Sequence, residues 1–467
     1  MSAKPELTLC MIVRDEEAML PGCLDSVRGI VDRIVVVDTG STDRTRRIAE
    51  AAGAELVDFE WCDDFAAARN AGLARIQSGF VLVLDADERL APGARKGLER
   101  ALAKADFDLG FLVLHDAARL DAAASEVVSG AARRGEPILV PRLLRRTPDL
   151  AYRGIVHENV SAWSADKRIR AFDVGIVHLG AVPSLRAERG KAARNLALLE
   201  KRCAAEPEAA VARSYLAREL VRAGDDIRAR AEAARAWRSL RPGPNGRPAE
   251  DVIQVATLHA FLELTVDHLE EAAECLAQAR EWSDPHPNLD LLGGVVFERM
   301  ASLHPDDPGV DEMLLTARDA FVRCLSVRGR AFSSELLPGA TSWAAATRMG
   351  AVELARGQFD NALAAFEAAL EESPDPKEAH LGRLEALIGC GRAGEALSEL
   401  EPLLPADTPD AWTLAALAAD ALGSVEDRTL FLARARSAAM RGGWTSPGRC
   451  TRFLALESRS SADALAG

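Results

Sequence analysis

Phe80-Val81-Leu82-Val83-Leu84 is an uninterrupted apolar run of strand length that stops at Asp85-Ala86-Asp87-Glu88. A strand that is apolar on both faces must be covered on both, as in a parallel sheet flanked by helices. Ligands of such sheets lie beyond the carboxyl ends of the strands. Asp85 and Asp87 are two residues apart, so continued strand geometry would turn both carboxylates the same way. Converging carboxylates are costly unless a cation neutralises them, and a hard divalent metal holding a phosphate is the cation this predicts.

The residues around that run keep the same rhythm. Strand patterns over 7–13, 33–37, 54–59 and 80–84 alternate with helical patterns over 16–28, 43–52 and 63–77. Ser41-Thr42-Asp43 supplies capping residues for the second helix. A helix over 92–104 and strands over 109–115, 138–144, 155–160 and 169–177 follow, with the Ala/Gly-rich stretch 117–136 read as a loop or insertion. Alternation of this kind predicts an α/β domain with a mostly parallel, Rossmann-like sheet.

After about residue 183 the strand patterns cease, and Ala, Leu, Arg and Glu recur at helical spacing. Gly357, Ala362, Phe366, Ala369 and Pro374 mark a helix-turn-helix unit that Gly391, Ala396 and Leu400 repeat, at a period of about 34 residues. Earlier copies stand at Gly224/Ala229/Ala233 and Ala272/Leu276/Ala279. Glycine is expected to end the first helix of each pair; a generic Ala-rich bundle is the alternative. The expected organisation is a sheet domain over 1–185, a connecting helix over 186–207, an all-α repeat domain over 208–457 and a tail over 458–467.

A formal net charge of −14 argues against a general nucleic-acid binder, whose affinity comes from a basic face. The eight cysteines are scattered without a C-x-x-C pair, as expected of small buried side chains in a reducing compartment. No leader-like segment and no run of membrane-spanning length is visible. A cytoplasmic protein is expected, with peripheral attachment at the inner membrane surface left open.

Each early strand ends in polar residues: Arg14-Asp15-Glu16-Glu17, then Asp38-Thr39-Gly40-Ser41-Thr42-Asp43, then Trp61-Cys62-Asp63-Asp64-Phe65, then Asp85 to Glu88. No G-x-G-x-x-G follows the first strand and no G-x-x-x-x-G-K-[ST] occurs, which disfavours dinucleotide and P-loop folds. Asp38 can accept a hydrogen bond from a uracil imide or a ribose hydroxyl, or serve as a helix cap. Arg69 can meet a phosphate or base carbonyl, or stand as an exposed helical arginine.

Met11 to Glu17, Val35 to Asp43 and Leu84 to Glu88, in this order and spacing, resemble family 2 glycosyltransferases of GT-A fold. Asp64-Phe65-Ala66-Ala67-Ala68-Arg69-Asn70 is similar to a bacterial subgroup that often carries tetratricopeptide repeats, which the C-terminal units resemble. The resemblance implies that the first-strand loop (Val13, Arg14, Glu16) and Asp38 hold the base and ribose of a nucleotide sugar, with Arg69 nearby. It further implies that Asp85 contacts the ribose or a metal-bound water and that Asp87 binds Mg²⁺ or Mn²⁺, with His178 completing the metal shell. Tyr152 to Asn159 resembles the acceptor-side segment, with Glu158 the implied base and His157 the alternative.

The resemblance implies a metal-dependent, inverting, non-processive transferase acting on a UDP-linked sugar. The absence of Q-x-x-R-W and of membrane helices separates it from processive synthases. The expected acceptor is a glycan, a lipid-linked glycan or a protein. The repeats are expected to bind that acceptor, a protein partner or a second copy. Two other readings are an interaction scaffold with an inactive transferase domain and, more weakly, a nucleotidyltransferase.

Overall fold

The structure is a computed structural model, and it describes residues 5–160, 167–182, 191–242, 251–334 and 336–466. The chain divides into two compact units, residues 1–262 with 281–283 and 329–336, and the remainder to 467.

In the first unit an eight-stranded sheet has the order β3-β2-β1-β4-β7-β6-β10-β5. Its strands are β1 (Leu7–Val13), β2 (Arg33–Asp38), β3 (Glu55–Asp58), β4 (Phe80–Val83), β5 (Glu88–Leu90), β6 (Leu109–Asp116), β7 (Ile138–Arg145) and β10 (Ile169–His178). A separate two-stranded ribbon joins β8 (Tyr152–Arg153) to β9 (Asn159–Val160). The strands β3, β2, β1 and β4 are mutually parallel, as are β6 and β10, whereas β7 and β5 run against their neighbours.

Both faces of the sheet are covered, which explains the apolar runs. Leu7, Leu9, Met11, Leu82 and Leu84 face one side with Leu20, Leu24 and Leu98. Cys10, Val35, Val81 and Val83 face the other with Leu73 and Ile76. The helices α1 (Leu20–Ser26), α2 (Thr45–Ala51), α3 (Phe65–Leu73) and α4 (Ala94–Lys104) lie between the early strands as expected, and α5 (Ala124–Ser129) falls in the anticipated insertion. The expected strand over 155–160 is a turn followed by the two-residue β9, and β5 was not foreseen.

The first unit continues past the sheet. α6 (Lys191–Ala205), α7 (Ala210–Arg222) and α8 (Asp226–Ser239) bury Leu198, Leu199, Leu216 and Leu220 in one cluster with Val156. The expected boundary at 185 lies outside the described residues, and α6, which falls in the stretch read as a connecting helix over 186–207, belongs to the first unit. α9 (Val252–Leu264) follows, and α10 (Leu269–Trp282) lies almost wholly in the second unit.

The second unit contains the antiparallel helix pairs foreseen from the small-residue spacing. α11 (Pro287–Leu303) pairs with α12 (Val310–Ser326), α13 (Trp343–Ala355) with α14 (Phe359–Leu370), α15 (Lys377–Gly389) with α16 (Ala393–Leu400), and α17 (Pro409–Ala421) with α18 (Val425–Ala439). Gly357 and Gly391 end the first helix of two pairs at φ of 70° and 78°, a conformation in which other side chains are strained. Phe366 fills the space that Gly350 and Gly382 leave open.

The last helix, α19 (Pro447–Ala466), runs through most of the expected tail. Arg449 is 2% exposed. It reaches Glu378 at 2.8 Å, Asp410 at 3.1 Å and Glu385 at 3.3 Å. Removing one side of a buried ion network strands the other charges without water, at a cost of ~3–5 kcal/mol. Arg449→Ala is therefore expected to lower the urea midpoint of the helical unit by that order of free energy. An unchanged circular-dichroism unfolding curve would contradict this account of how the helix is anchored.

Candidate functional site

The parallel register of β1 and β2 sets their C-terminal loops side by side. Asp15, at φ 52°, accepts the Thr42 N–H at 2.7 Å, and the Ser41 hydroxyl accepts the Asp15 N–H at 3.0 Å. Glu16 N–H donates to Thr45 Oγ1 at 2.7 Å, Glu17 N–H to Asp43 at 3.0 Å and Arg44 N–H to Glu17 at 3.0 Å. The acidic and hydroxyl residues of the two motifs thus satisfy each other's backbone and hold the loops as one piece. Asp38 is buried, accepting the Ser41 N–H at 3.1 Å and Arg46 Nη1 at 2.8 Å.

At the end of β4 the strand geometry stops at Val83 and a turn takes over, with the Glu88 N–H donating to Asp85 O at 2.9 Å. The expectation that Asp85 and Asp87 face the same way is therefore corrected. Asp85 meets Arg69 Nη2 at 3.1 Å and Arg142 Nη2 at 3.4 Å, while Arg142 also holds Glu88 at 2.5 Å. Burial acts to raise the Asp85 pKa, but the two guanidiniums outweigh it and hold the carboxyl well below the usual range. Burial wins at Glu88, which is pushed up despite Arg142.

Asp87, 5% exposed, faces His178 instead, with Oδ1 3.9 Å from Nε2. The other imidazole nitrogen, Nδ1, lies 2.7 Å from Asp116, its register partner on β6. Burial pulls the His178 pKa down, yet the Asp116 hydrogen bond and the charges of Asp87 and Glu88 leave it raised. A carboxylate behind one ring nitrogen orients the other outward, an arrangement that suits a metal-binding histidine. Gly180 keeps the space between them open, since a Cβ there would collide with Asp87 and lie 2.7 Å from His178 Nε2. Asp87 and His178 thus fit a divalent cation, while Asp85 is turned to the two arginines. Among the described residues no group of three or more acidic, histidine or cysteine side chains is gathered for a metal.

Arg69 is largely buried on α3, and its Nε donates to Glu158 Oε1 at 2.5 Å, so one guanidinium bridges Asp85 and Glu158. Burial opposes its charge, but the two carboxylates raise its pKa. Three backbone contacts place that arginine. Asp64 caps α3 by accepting the Ala67 N–H at 2.9 Å. The Phe65 N–H donates to Ile155 O at 2.9 Å. Asn70 exchanges two amide bonds with the backbone of Tyr152, at 2.8 and 2.9 Å, as a strand neighbour would.

His157 is less suited to the role of base. It adopts φ 49° and stacks on Tyr215 at 3.7 Å and an interplanar angle of 2°. Burial pushes its pKa down to about 3, helped by Arg218, Arg202 and Arg222. Arg202, from α6, donates to Val156 O at 2.6 Å and His157 O at 3.0 Å.

These parts surround a cavity of about 370 Å³. Arg69, Asp85 and Glu158 line it together; Asp87 and His178 form one side, and Trp61, Phe65 and Arg194 contribute another. Val13, Arg14 and Glu16 of the first-strand loop reach it, but Asp38 is not among the side chains that do. The sequence reading missed Arg142, Asp116 and Arg194. The charge of Arg142 within a strand run was the available signal for the first. Nothing local marked the other two.

Residues 8–124 match the family described as Glycosyl transferase family 2, and residues 353–418 match Tetratricopeptide repeat. A TPR repeat-containing protein of Synechococcus elongatus is 35% identical over 283 residues, covering 58% of this chain and 65% of the relative. An uncharacterized glycosyltransferase of Rickettsia bellii is 29% identical over 103 residues, 22% of this chain and 35% of its own. The chain thus spans just under two thirds of the first relative and about a third of the second. Among solved structures, glucosyl-3-phosphoglycerate synthase from Mycobacterium tuberculosis, crystallised with Mn²⁺ and UDP, is 26% identical over 24% of this chain and 45% of its own, with a TM-score of 0.21. A tetratricopeptide repeat protein from Parabacteroides merdae is 15% identical over 58% of this chain and 94% of its own, with a TM-score of 0.38. No helix among the described residues is long and apolar enough to cross a membrane.

The depressed His157 sets a pH dependence. From its ordinary 6.5 down to about 3, the unfolded chain binds a proton at this residue that the folded chain refuses. Its contribution is therefore whole above that range and is lost as pH falls through it. His157→Asn, which tolerates the positive φ, should lose less unfolding free energy than the wild type between about pH 7 and pH 5. Parallel urea titrations with identical slopes against pH would refute the assignment.

Proposed function

We propose that this chain, which joins a family 2 glycosyltransferase domain to tetratricopeptide repeats, moves a sugar from a nucleotide donor, UDP-linked, to a hydroxyl of an acceptor. The observation that carries this reading is one cavity lined both by the Asp87–His178 pair and by Glu158. Asp87 and His178 would hold Mg²⁺ or Mn²⁺, which when bound supplies positive charge to a leaving diphosphate.

The residues then divide the work. Glu158 accepts the proton of the acceptor hydroxyl while its Oε1 is held by Arg69, which fixes the direction of the carboxylate. The acceptor oxygen bonds to the anomeric carbon, and the bond from that carbon to the diphosphate oxygen breaks with its electron pair leaving on the diphosphate. Asp85, whose side chain is 39% exposed, remains able to accept a ribose hydroxyl. A base that reaches Asp38 must first displace Arg46, so the first-strand loop is the nearer donor contact. His157 is held against Tyr215 in a site whose burial disfavours a protonated ring, which makes Glu158 the better-supported proton acceptor. The repeats would bind the acceptor, a protein partner or a second copy of the chain.

Ligand binding raises the unfolding free energy by mass action, by ~2.7 kcal/mol at a hundredfold excess over Kd. UDP with Mn²⁺ is expected to raise the unfolding temperature of the wild type, and Asp87→Ala to abolish that rise. No response to any nucleoside diphosphate would favour the scaffold reading, and a preference for a triphosphate would favour a nucleotidyltransferase.

A separate titration addresses the imidazole. His178→Ala should require a higher Mn²⁺ concentration for half the nucleotide response. An unchanged metal requirement would take His178 out of the site.

A further inference from the structure

The cavity has two unlike walls. The Asp87–His178 side is acidic and narrow, kept open by Gly180. The opposite side is built from the β3–α3 connection and from α6, which lies well beyond the residues that match the transferase family. Trp61 and Phe65 pack edge to face there at 4.8 Å, and the Arg194 guanidinium lies 5.6 Å from the Phe65 ring centre. Phe65 and Ile155 pack into the same cluster as Leu196 and Leu199 of α6, so the helix and the aromatic pair form one surface.

The polar groups on this surface are unspent. Arg69, also in the cavity, is taken up by two carboxylates, whereas exposed Arg194 has no carboxylate partner among the described residues. The half-buried side-chain amide of Asn195 likewise has no hydrogen-bond partner among them. A cation resting on an aromatic face beside an unused amide is suited to an oxyanion, and the aromatic pair to the apolar face of a sugar or aliphatic group. Glu158 connects the two walls: Arg69 ties it to Asp85, and the segment before it is held to α6 by Arg202. In a displacement with Glu158 as base, the group that loses its proton lies beside Glu158, within the cavity that α6 also lines.

We propose that Arg194 and Asn195 form the acceptor end of the cavity and take a carboxylate or phosphate carried by the acceptor. The proposal rests on the sugar-transfer reading of the same cavity. It makes α6 part of the site and restricts the acceptor to anionic molecules whose hydroxyl lies near their charge.

The test uses the full chain and two probes, inorganic phosphate in metal-free buffer and UDP with Mn²⁺, each followed by calorimetry. Arg194→Gln should weaken phosphate binding by about fivefold or more, with Arg194→Lys recovering most of it. Asp87→Ala should leave phosphate binding as it is, and Arg194→Gln should leave the UDP–Mn²⁺ response as it is. Equal phosphate binding by wild type and Arg194→Gln, or none by either, overturns the proposal. Loss of the UDP–Mn²⁺ response in Arg194→Gln also overturns it, by assigning Arg194 to the donor diphosphate. A wild type that takes phosphate through Arg194 but no nucleotide would uphold the anion contact and overturn the proposed function alone.

Discussion

The buried guanidinium of Arg69 is the interaction on which the site depends. A charge in that position is tolerable because two carboxylates face it from different parts of the chain, Asp85 after β4 and Glu158 before β9. The same pairing fixes what those carboxylates can do. Asp85 is held ionised and turned away from Asp87, so the two acidic residues of one short motif serve different neighbours. Glu158 is oriented through Oε1. Replacing the arginine with an apolar side chain would leave two carboxylates facing each other in a poorly hydrated space, a worse state than either pair alone.

A second layer of order comes from side chains that act as pieces of backbone. Asn70 stands in for a strand neighbour of Tyr152, and Asp15, Ser41 and Glu17 satisfy amides of the facing loop. Loops built this way have few unpaired amides and little freedom to rearrange. Gly154 belongs to the same design, because a Cβ there would collide with the Arg202 guanidinium that grips the following carbonyls. The cavity is framed by fixed pieces, and one of its exposed cations, Arg194, comes from the helix that closes it.

Much of this was legible in the sequence because sheet strands covered on both faces advertise themselves. The runs at 7–13, 33–37 and 80–84 became β1, β2 and β4 with small changes at their ends, and the glycines at 357 and 391 ended helices as their spacing required. The departures have separate causes. Period-two reasoning at Asp85 and Asp87 assumes that the strand continues, and the turn after Val83 breaks that assumption. The pairing of Arg69 with Glu158 joins residues 89 apart, and no local pattern reports it. Asp38, read from its motif as a ligand contact, is buried in the structure and paired with Arg46, eight residues on.

The stacking of His157 on Tyr215 has a consequence for how the molecule is made. Synthesis proceeds from the N-terminus, and domains fold as units once their residues are available. The β-sheet can pair once β10 has emerged, but the segment carrying Glu158 gains its support from Arg202 and Tyr215 only when α6 and α7 follow. A nascent chain therefore acquires a sheet well before it acquires a closed cavity. During that interval the half-built cavity stays open on the side where α6 will lie, because the wall that α6 adds is translated only after the whole sheet.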